Sequence, residues 1–213
     1  MNTPVLYDYW RSSASYRVRI ALNLAGIAYE TVVINLPSGE HKAAAHLERN
    51  PQGFVPALEI DGLVLTQSLA IIEYLIETRG AALLPDDAAD RARVRALAHA
   101  IAMDIHPVCN LSVVKRVLDL AHGDDAMRVD WMRHFISQGL EAFETLLDHP
   151  STGKFCQGDR PGMADICLIP QIYNAERWGA DISRLKRIQA IRKACDAVPA
   201  FVSAHPDRCN APA

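Results

Sequence analysis

Two hydrophobic periods run along the chain, and the point where one gives way to the other divides it. Near the start, Val5, Tyr7 and Tyr9 recur at every second position, the pattern of a half-buried strand. From Val18 the apolar positions recur at helical steps through Ala21, Leu22 and Ala25, and Gly26 stops the helix. Tyr29 to Ile34 is short and β-branched, a second strand closed by Pro37-Ser38-Gly39. Residues 40–49 read as a short helix ended by Asn50-Pro51. From Val55 two strands follow, joined through Asp61-Gly62, a pair suited to a tight hairpin turn. Leu69 to Ile76 returns to the helical period, with Gln67 or Ser68 as its cap. Over residues 1–80 the order is therefore βαβαββα, with strands too short for a Rossmann unit and no glycine fingerprint.

After residues 81–87, a linker by its Pro and Asp content, the period becomes helical throughout. Residues 88–105 read as a long helix broken before Pro107, and 110–121, 129–147, 161–178 and 188–198 as further helices. The expectation is an α/β domain over 1–80 and an all-α domain over 88–213. No segment is expected to reach the length of a membrane span, and Met1-Asn2-Thr3-Pro4 has no basic region followed by an apolar run.

Composition narrows the functional classes. Half of the 213 residues are apolar and the formal net charge is −3, which suggests neither disorder nor a nucleic-acid footprint. Small molecules and a second copy of the chain are the expected partners, with no nucleic acid and no membrane. The five cysteines (Cys109, Cys156, Cys167, Cys195, Cys209) show no C-x-x-C spacing and no zinc pattern with histidine, so they read as free thiols in a reducing, cytoplasmic setting with no metal.

The chemistry concentrates at the first strand-to-helix junction, Trp10-Arg11-Ser12-Ser13-Ala14-Ser15-Tyr16-Arg17. Ser12, Ser13 or Ser15 can cap the helix by accepting a hydrogen bond from an early amide. The same hydroxyls, with the free amides and the positive helix end, can instead hold an anion or a thiolate. Arg11, Arg17 and Arg19 make the neighbourhood basic, and Arg19 reads as part of a solvated helix face. Pro56, lacking an amide donor at the start of a strand, belongs to an edge, bulge or turn.

These residues, with Asn50-Pro51-Gln52-Gly53-Phe54-Val55-Pro56-Ala57-Leu58 and Gln67-Ser68-Leu69-Ala70-Ile71-Ile72-Glu73-Tyr74-Leu75, resemble the zeta class of the cytosolic glutathione transferases. Asn110-Leu111-Ser112-Val113, Leu168-Ile169-Pro170-Gln171 and Asn174-Ala175-Glu176-Arg177 extend the likeness over nearly the whole chain. The resemblance implies a thioredoxin-like glutathione-binding domain followed by an all-α domain, and a homodimer. It implies a glutathione-dependent cis-trans isomerase of maleylacetoacetate in aromatic amino acid catabolism. Alternatives are maleylpyruvate isomerisation or transfer to small α-haloacids, and a non-enzymatic binding module is a further, disfavoured reading. By the same resemblance Ser12 contacts the glutathione sulfur, while Ser13, Ala14, Ser15, Tyr16 and Arg17 line the loop, which leaves Ser15 as the expected ordinary helix-opening residue. Val55, beside Pro56, pairs with the cysteinyl part through its main chain, and Gln67 and Ser68 hold the γ-glutamyl carboxylate. His41, His106, Asn110, Leu111 and Ser112 fall on further contact positions, and Arg11 and Arg177 on positions that meet the substrate carboxylates. His41 also reads as a surface residue, and Arg177 as an ion-pair partner of Glu176 or Asp181.

Two residues depart from the class. Ala14 replaces a frequent cysteine, which disfavours chemistry needing a protein thiol beside glutathione. Gly162 replaces a capping threonine, a change worth a few tenths of a kcal/mol, with Asp165 still able to close back on the turn.

Overall fold

The computed structural model describes residues 3–209. The chain forms two compact units, one of residues up to Ala82 together with those from Val198, the other Leu83–Ala197.

In the first unit a four-stranded sheet has the order β2-β1-β3-β4, with β1 Val5–Asp8, β2 Glu30–Val33, β3 Ala57–Ile60 and β4 Leu63–Thr66. β2 runs parallel to β1 with Val5 opposite Glu30, while β3 is antiparallel to both β1 and β4. The β3–β4 turn carries Asp61 at φ 55° and Gly62 at φ 77°, the pair of positive angles that the dipeptide suits. Helices α1 (Ser13–Leu24) and α3 (Ser68–Arg79) pack on each other through an apolar interior of Val18, Ala21, Leu22, Ile71, Ile72 and Leu75. Residues 40–49 fold as one 3₁₀ turn and the short helix α2 (Ala44–Arg49).

Two register facts position the site. Tyr7 is opposite Ala57, and Ala57 is opposite Thr66. The loop leaving β1, the segment entering β3 and the exit from β4 therefore emerge at one end of the sheet.

Arg19 is 1% exposed, not on a solvated face. Its guanidinium is fully engaged inside the unit, bonded to both Asp8 carboxylate oxygens at 2.8 and 2.7 Å, which offsets the cost of burying the two charges. The last stretch of the chain closes over this pair. α10 (Pro199–Ser203) packs on α1, followed by α11 (Pro206–Cys209), and Asn23 Nδ2 donates to Ala200 O at 3.1 Å.

The second unit is helical. α4 (Ala88–His99) starts from Asp87, whose Oδ1 accepts from Ala89 N and Asp90 N. Pro107 does not break the helix. Residues Ala100–Ile105 widen into a π turn in which His106 N donates to Ile101 O, and α5 (His106–Val108) follows. A proline ring in an ordinary turn would strike the carbonyl four residues back, and the wider turn relieves that contact. Because the helical path then runs on through α6 (Leu111–Ala121), residues 88–121 reach the length of a membrane span, with an 18-residue window of mean hydropathy 1.3. The expectation that no segment is long enough is therefore corrected. Val94, Leu97, Ala98, Ile101 and Ile105 of this stretch are buried in the unit's own interior.

α7 (Asp125–Leu146) approaches the π turn closely. A Cβ on Gly139 would lie 2.4 Å from both Ile105 Cγ1 and Cδ1. α8 (Met163–Trp178) is apolar on almost every face and forms the centre of the unit, with α9 (Lys186–Asp196) against it. At Gly162 only the return half of the capping arrangement exists. Asp165 Oδ2 accepts from Gly162 N at 2.8 Å and Oδ1 from Cys156 N at 2.9 Å.

Candidate functional site

Strand β1 ends at Asp8, and a turn closed by Ser12 N donating to Tyr9 O at 2.8 Å delivers the chain to α1. Ser12 has extended backbone angles (φ −67°, ψ 119°) and its Oγ accepts from Ser15 N at 3.2 Å, so the cap is Ser12. The expectation that Ser15 opens the helix is corrected, since Ser15 supplies the amide that Ser12 accepts. Ser13 and Ser15 lie within the first turn, and Ser15 Oγ is buried with no hydrogen-bond partner. In accepting the amide, the Ser12 hydroxyl uses a lone pair and keeps its proton to donate. The first turn of α1 holds no acidic side chain, so nothing cancels the positive end of the helix. Arg11 is exposed, with its guanidinium 4.2 Å from the Trp10 ring centroid. Tyr16 is 2% exposed, and its ring meets His205 edge-on at 6.1 Å, so it belongs to the interior.

At the same end of the sheet, Val55 precedes cis Pro56. The pairing of β3 with β1 begins at Ala57, so the N–H and C=O of Val55 lie outside the ladder. Its orientation is fixed by His46, which the sequence did not single out, and by Asn50, to which it gave no such role. His46 Nε2 and Asn50 Nδ2 both hold Phe54 O, at 2.8 and 2.9 Å. In a planar trans peptide this turns the Val55 N–H to the opposite side, away from that pair. The only hint in sequence was the helix stop at Asn50-Pro51.

The exit from β4 is equally specific. Gln67, at φ 67°, carries no side-chain cap and instead donates to Gln52 Oε1 at 2.8 Å. Ser68 opens α3 and is 5% exposed, and Arg17 Nη1 donates to its Oγ at 3.3 Å. A buried guanidinium thus lies directly behind a helix N-terminus and adds to the positive character of the spot. His41 Nδ1 is buried without a hydrogen-bond partner. Burial, and then the charges of Lys42 and His46, lower the His41 pKa from its ordinary value.

The remaining candidates belong to the second unit. His106 opens α5 directly after the π turn. Asn110 caps α6, its Oδ1 accepting from Ser112 N at 3.0 Å and from Ser112 Oγ at 2.9 Å, while Leu111 is 61% exposed. Arg177, near the end of α8, stands 5.1 Å from the Trp178 ring centroid. Nearby, Glu176 pairs with Arg192, and Asp181 Oδ1 accepts from Ser183 N. A groove of about 500 Å³ runs between α6, α7 and the end of α8, lined among others by Leu111, Lys115, Met132, Arg177 and Trp178. Burial pushes the Cys109 thiol up to about 11 and raises Cys156 and Cys195 further, so these cysteines stay protonated near neutral pH. Among the described residues no His, Cys, Asp and Glu side chains cluster as a metal site.

Residues 3–77 match the family model for the glutathione S-transferase N-terminal domain. The chain is 62% identical over 210 residues to the maleylacetoacetate isomerase of Rhizobium meliloti strain 1021, covering 98% of this chain and 99% of the relative. It superposes on a maleylacetoacetate isomerase of Methylobacterium extorquens AM1, solved with bound malonate and GSH, with a TM-score of 0.94 and 41% identity, covering 98% of this chain and 100% of that one. A zeta-class maleylpyruvate isomerase in its holo form gives a TM-score of 0.95 at 41% identity, with 98% and 100% covered.

Proposed function

The chain belongs to the glutathione S-transferase family, and from that premise we propose that it is a glutathione-dependent maleylacetoacetate isomerase acting in aromatic amino acid catabolism. The observation that carries the reading is the Ser12 hydroxyl at the acid-free start of α1, with a proton left to donate.

The residues present fit glutathione. Ser12 and the first amides of α1 suit the sulfur, the off-ladder backbone of Val55 suits a peptide, and Ser68 with Arg17 behind it suits a carboxylate. When bound, glutathione supplies a thiolate that adds reversibly to the cis double bond, frees rotation there and leaves again unconsumed. Ser12 and the helix end have to stabilise that thiolate. A free thiol near 8.5 must fall by about two units to be largely ionised at neutral pH, which corresponds to about 2.7 kcal/mol. The helix end contributes about 0.3–1 kcal/mol and a hydroxyl donating to a charged acceptor about 1.5–3 kcal/mol, a combined range that brackets this requirement. Ala14 adds no protein thiol, which restricts the chemistry to glutathione's own sulfur.

Maleylacetoacetate is a dianion at neutral pH, and Arg11 and Arg177 are the cations assigned to its carboxylates. Arg177 is supported by its place on the groove of the helical unit, which Lys115 and Arg128 also line, together with Asp119, Asp124 and Asp125. Maleylpyruvate is the runner-up substrate, favoured by the maleylpyruvate isomerase likeness. A homodimer is supported by the family and by the exposed Leu63 and Val64 on the edge strand β4. A cytoplasmic location is supported by the five free cysteines.

The test is an ultraviolet assay of both maleyl substrates with and without glutathione. The reading expects glutathione-dependent isomerisation of maleylacetoacetate with the higher kcat/KM. A preference for maleylpyruvate would replace the substrate, and no isomerisation of either would overturn the function.

A further inference from the structure

We infer that Arg19 is a positioning residue for the sulfur-binding loop, tying it to the C-terminal segment through a single buried guanidinium. The inference rests on the glutathione reading above, and its geometry is independent of that reading.

Arg19 makes contact in three directions from a site 1% exposed. Nη1 bonds both oxygens of Asp8, the last residue of β1. Nη2 donates to Trp10 O at 3.0 Å. Nε donates to Ala204 O at 3.0 Å, just past α10. The guanidinium also stands 5.3 Å from the centroid of the Tyr16 ring, one turn before it on α1.

The contact with Trp10 bears on catalysis. Trp10 lies in the turn closed by Ser12 N and Tyr9 O, and its carbonyl is drawn inward to the guanidinium. The Trp10–Arg11 peptide is trans and planar, so the Arg11 N–H is directed to the other side. Arg19 thereby sets the plane of the peptide before Arg11 and the approach of the chain to Ser12. A lysine retains the charge but has no fork to hold Asp8, Trp10 and Ala204 at once. The Ala204 contact extends the arrangement. Any shift of the segment after Val198 changes one arm of the same guanidinium that orients the loop.

The test uses R19K, S12A and the double variant in the full-length protein, with three readouts: kcat, affinity for glutathione, and the ultraviolet absorbance of the bound thiolate against pH. R19K is expected to lower kcat about tenfold and to raise the pKa of bound glutathione towards its free value. Affinity for glutathione should change by less than about threefold, because the Val55, Gln67 and Ser68 contacts are untouched. In the S12A background R19K should add no further loss in kcat, since its effect passes through Ser12. A folded R19K with wild-type kcat and thiolate pKa would overturn the inference, as would a loss that multiplies in full with S12A. Should R19K fail to fold, D8N retains the shape of the pair, and the same two outcomes decide. Failure of the isomerase reading would show separately, as absent turnover in the wild-type protein with the thiolate readout intact.

Discussion

Ser12 Oγ accepts the Ser15 amide at 3.2 Å, so the residue that starts helix α1 is the residue expected to face the glutathione sulfur. One hydroxyl holds both roles, the lone pair turned to the helix and the proton to the ligand. The roles separate on substitution. Ser12→Asn retains a capping oxygen and loses the hydroxyl, so it should keep wild-type stability and lose about tenfold or more in kcat. Ser12→Ala loses both and should also unfold about 1 kcal/mol more easily. Urea midpoints and kcat measured on the same preparations check this, and an S12N protein with undiminished kcat would remove the hydroxyl from the chemistry.

Gly139 makes room for the π turn ahead of His106. In Gly139→Ala the new methyl would meet Ile105 at 2.4 Å, which either pushes the turn aside or strains α7, at about 1–3 kcal/mol. Pairing it with Ile105→Ala should return much of that loss, giving a strongly non-additive cycle in urea unfolding. Additive effects would mean that the two residues do not press on each other.

The lowered pKa of His41 gives a pH dependence of defined sign. Because burial depresses it below 6.5, the unfolded chain binds this proton more tightly than the folded one. Stability is unaffected above about pH 6.5, falls as the pH drops through that value and levels off below the folded pKa. His41→Gln should flatten this part of the curve. Urea midpoints above, within and below the window measure it, and equal slopes for variant and wild type would contradict the assignment.

The buried thiols should be inert in the folded protein. With Cys109 pushed up to about 11 and Cys156 and Cys195 raised further by burial, iodoacetamide near neutral pH should leave all three unmodified, and activity intact. Cys209, half-buried near the end of the chain, should react first. Rapid loss of turnover together with alkylation of Cys109 would show that a protein thiol takes part.

Much of the fold and part of the candidate site are legible in the sequence wherever a local rule decides the outcome. Asp61-Gly62 specifies its turn through backbone angles, and Asn110 announces the start of α6 by side-chain capping. The misses come from competition beyond a local window. Pro107 signals a break, yet a π turn absorbs it because the flanking apolar residues are committed to the core. Arg19 carries a charge that composition sends to solvent, and only Asp8 and the carbonyls of Trp10 and Ala204 make its burial favourable. α10 and α11 are too short for a helical period to register. At the first strand-to-helix junction three serines stand close together in the chain, and the direction of one hydrogen bond shows that Ser12, not Ser15, opens the helix.

The catalytic, unconsumed role of glutathione is tested most directly by following substrate and total glutathione thiol together while the enzyme runs with far less glutathione than maleylacetoacetate. Complete conversion to the trans isomer is expected, with the thiol concentration unchanged from start to finish. Turnover that stops when the glutathione is exhausted, or conversion that proceeds equally without it, would contradict that role.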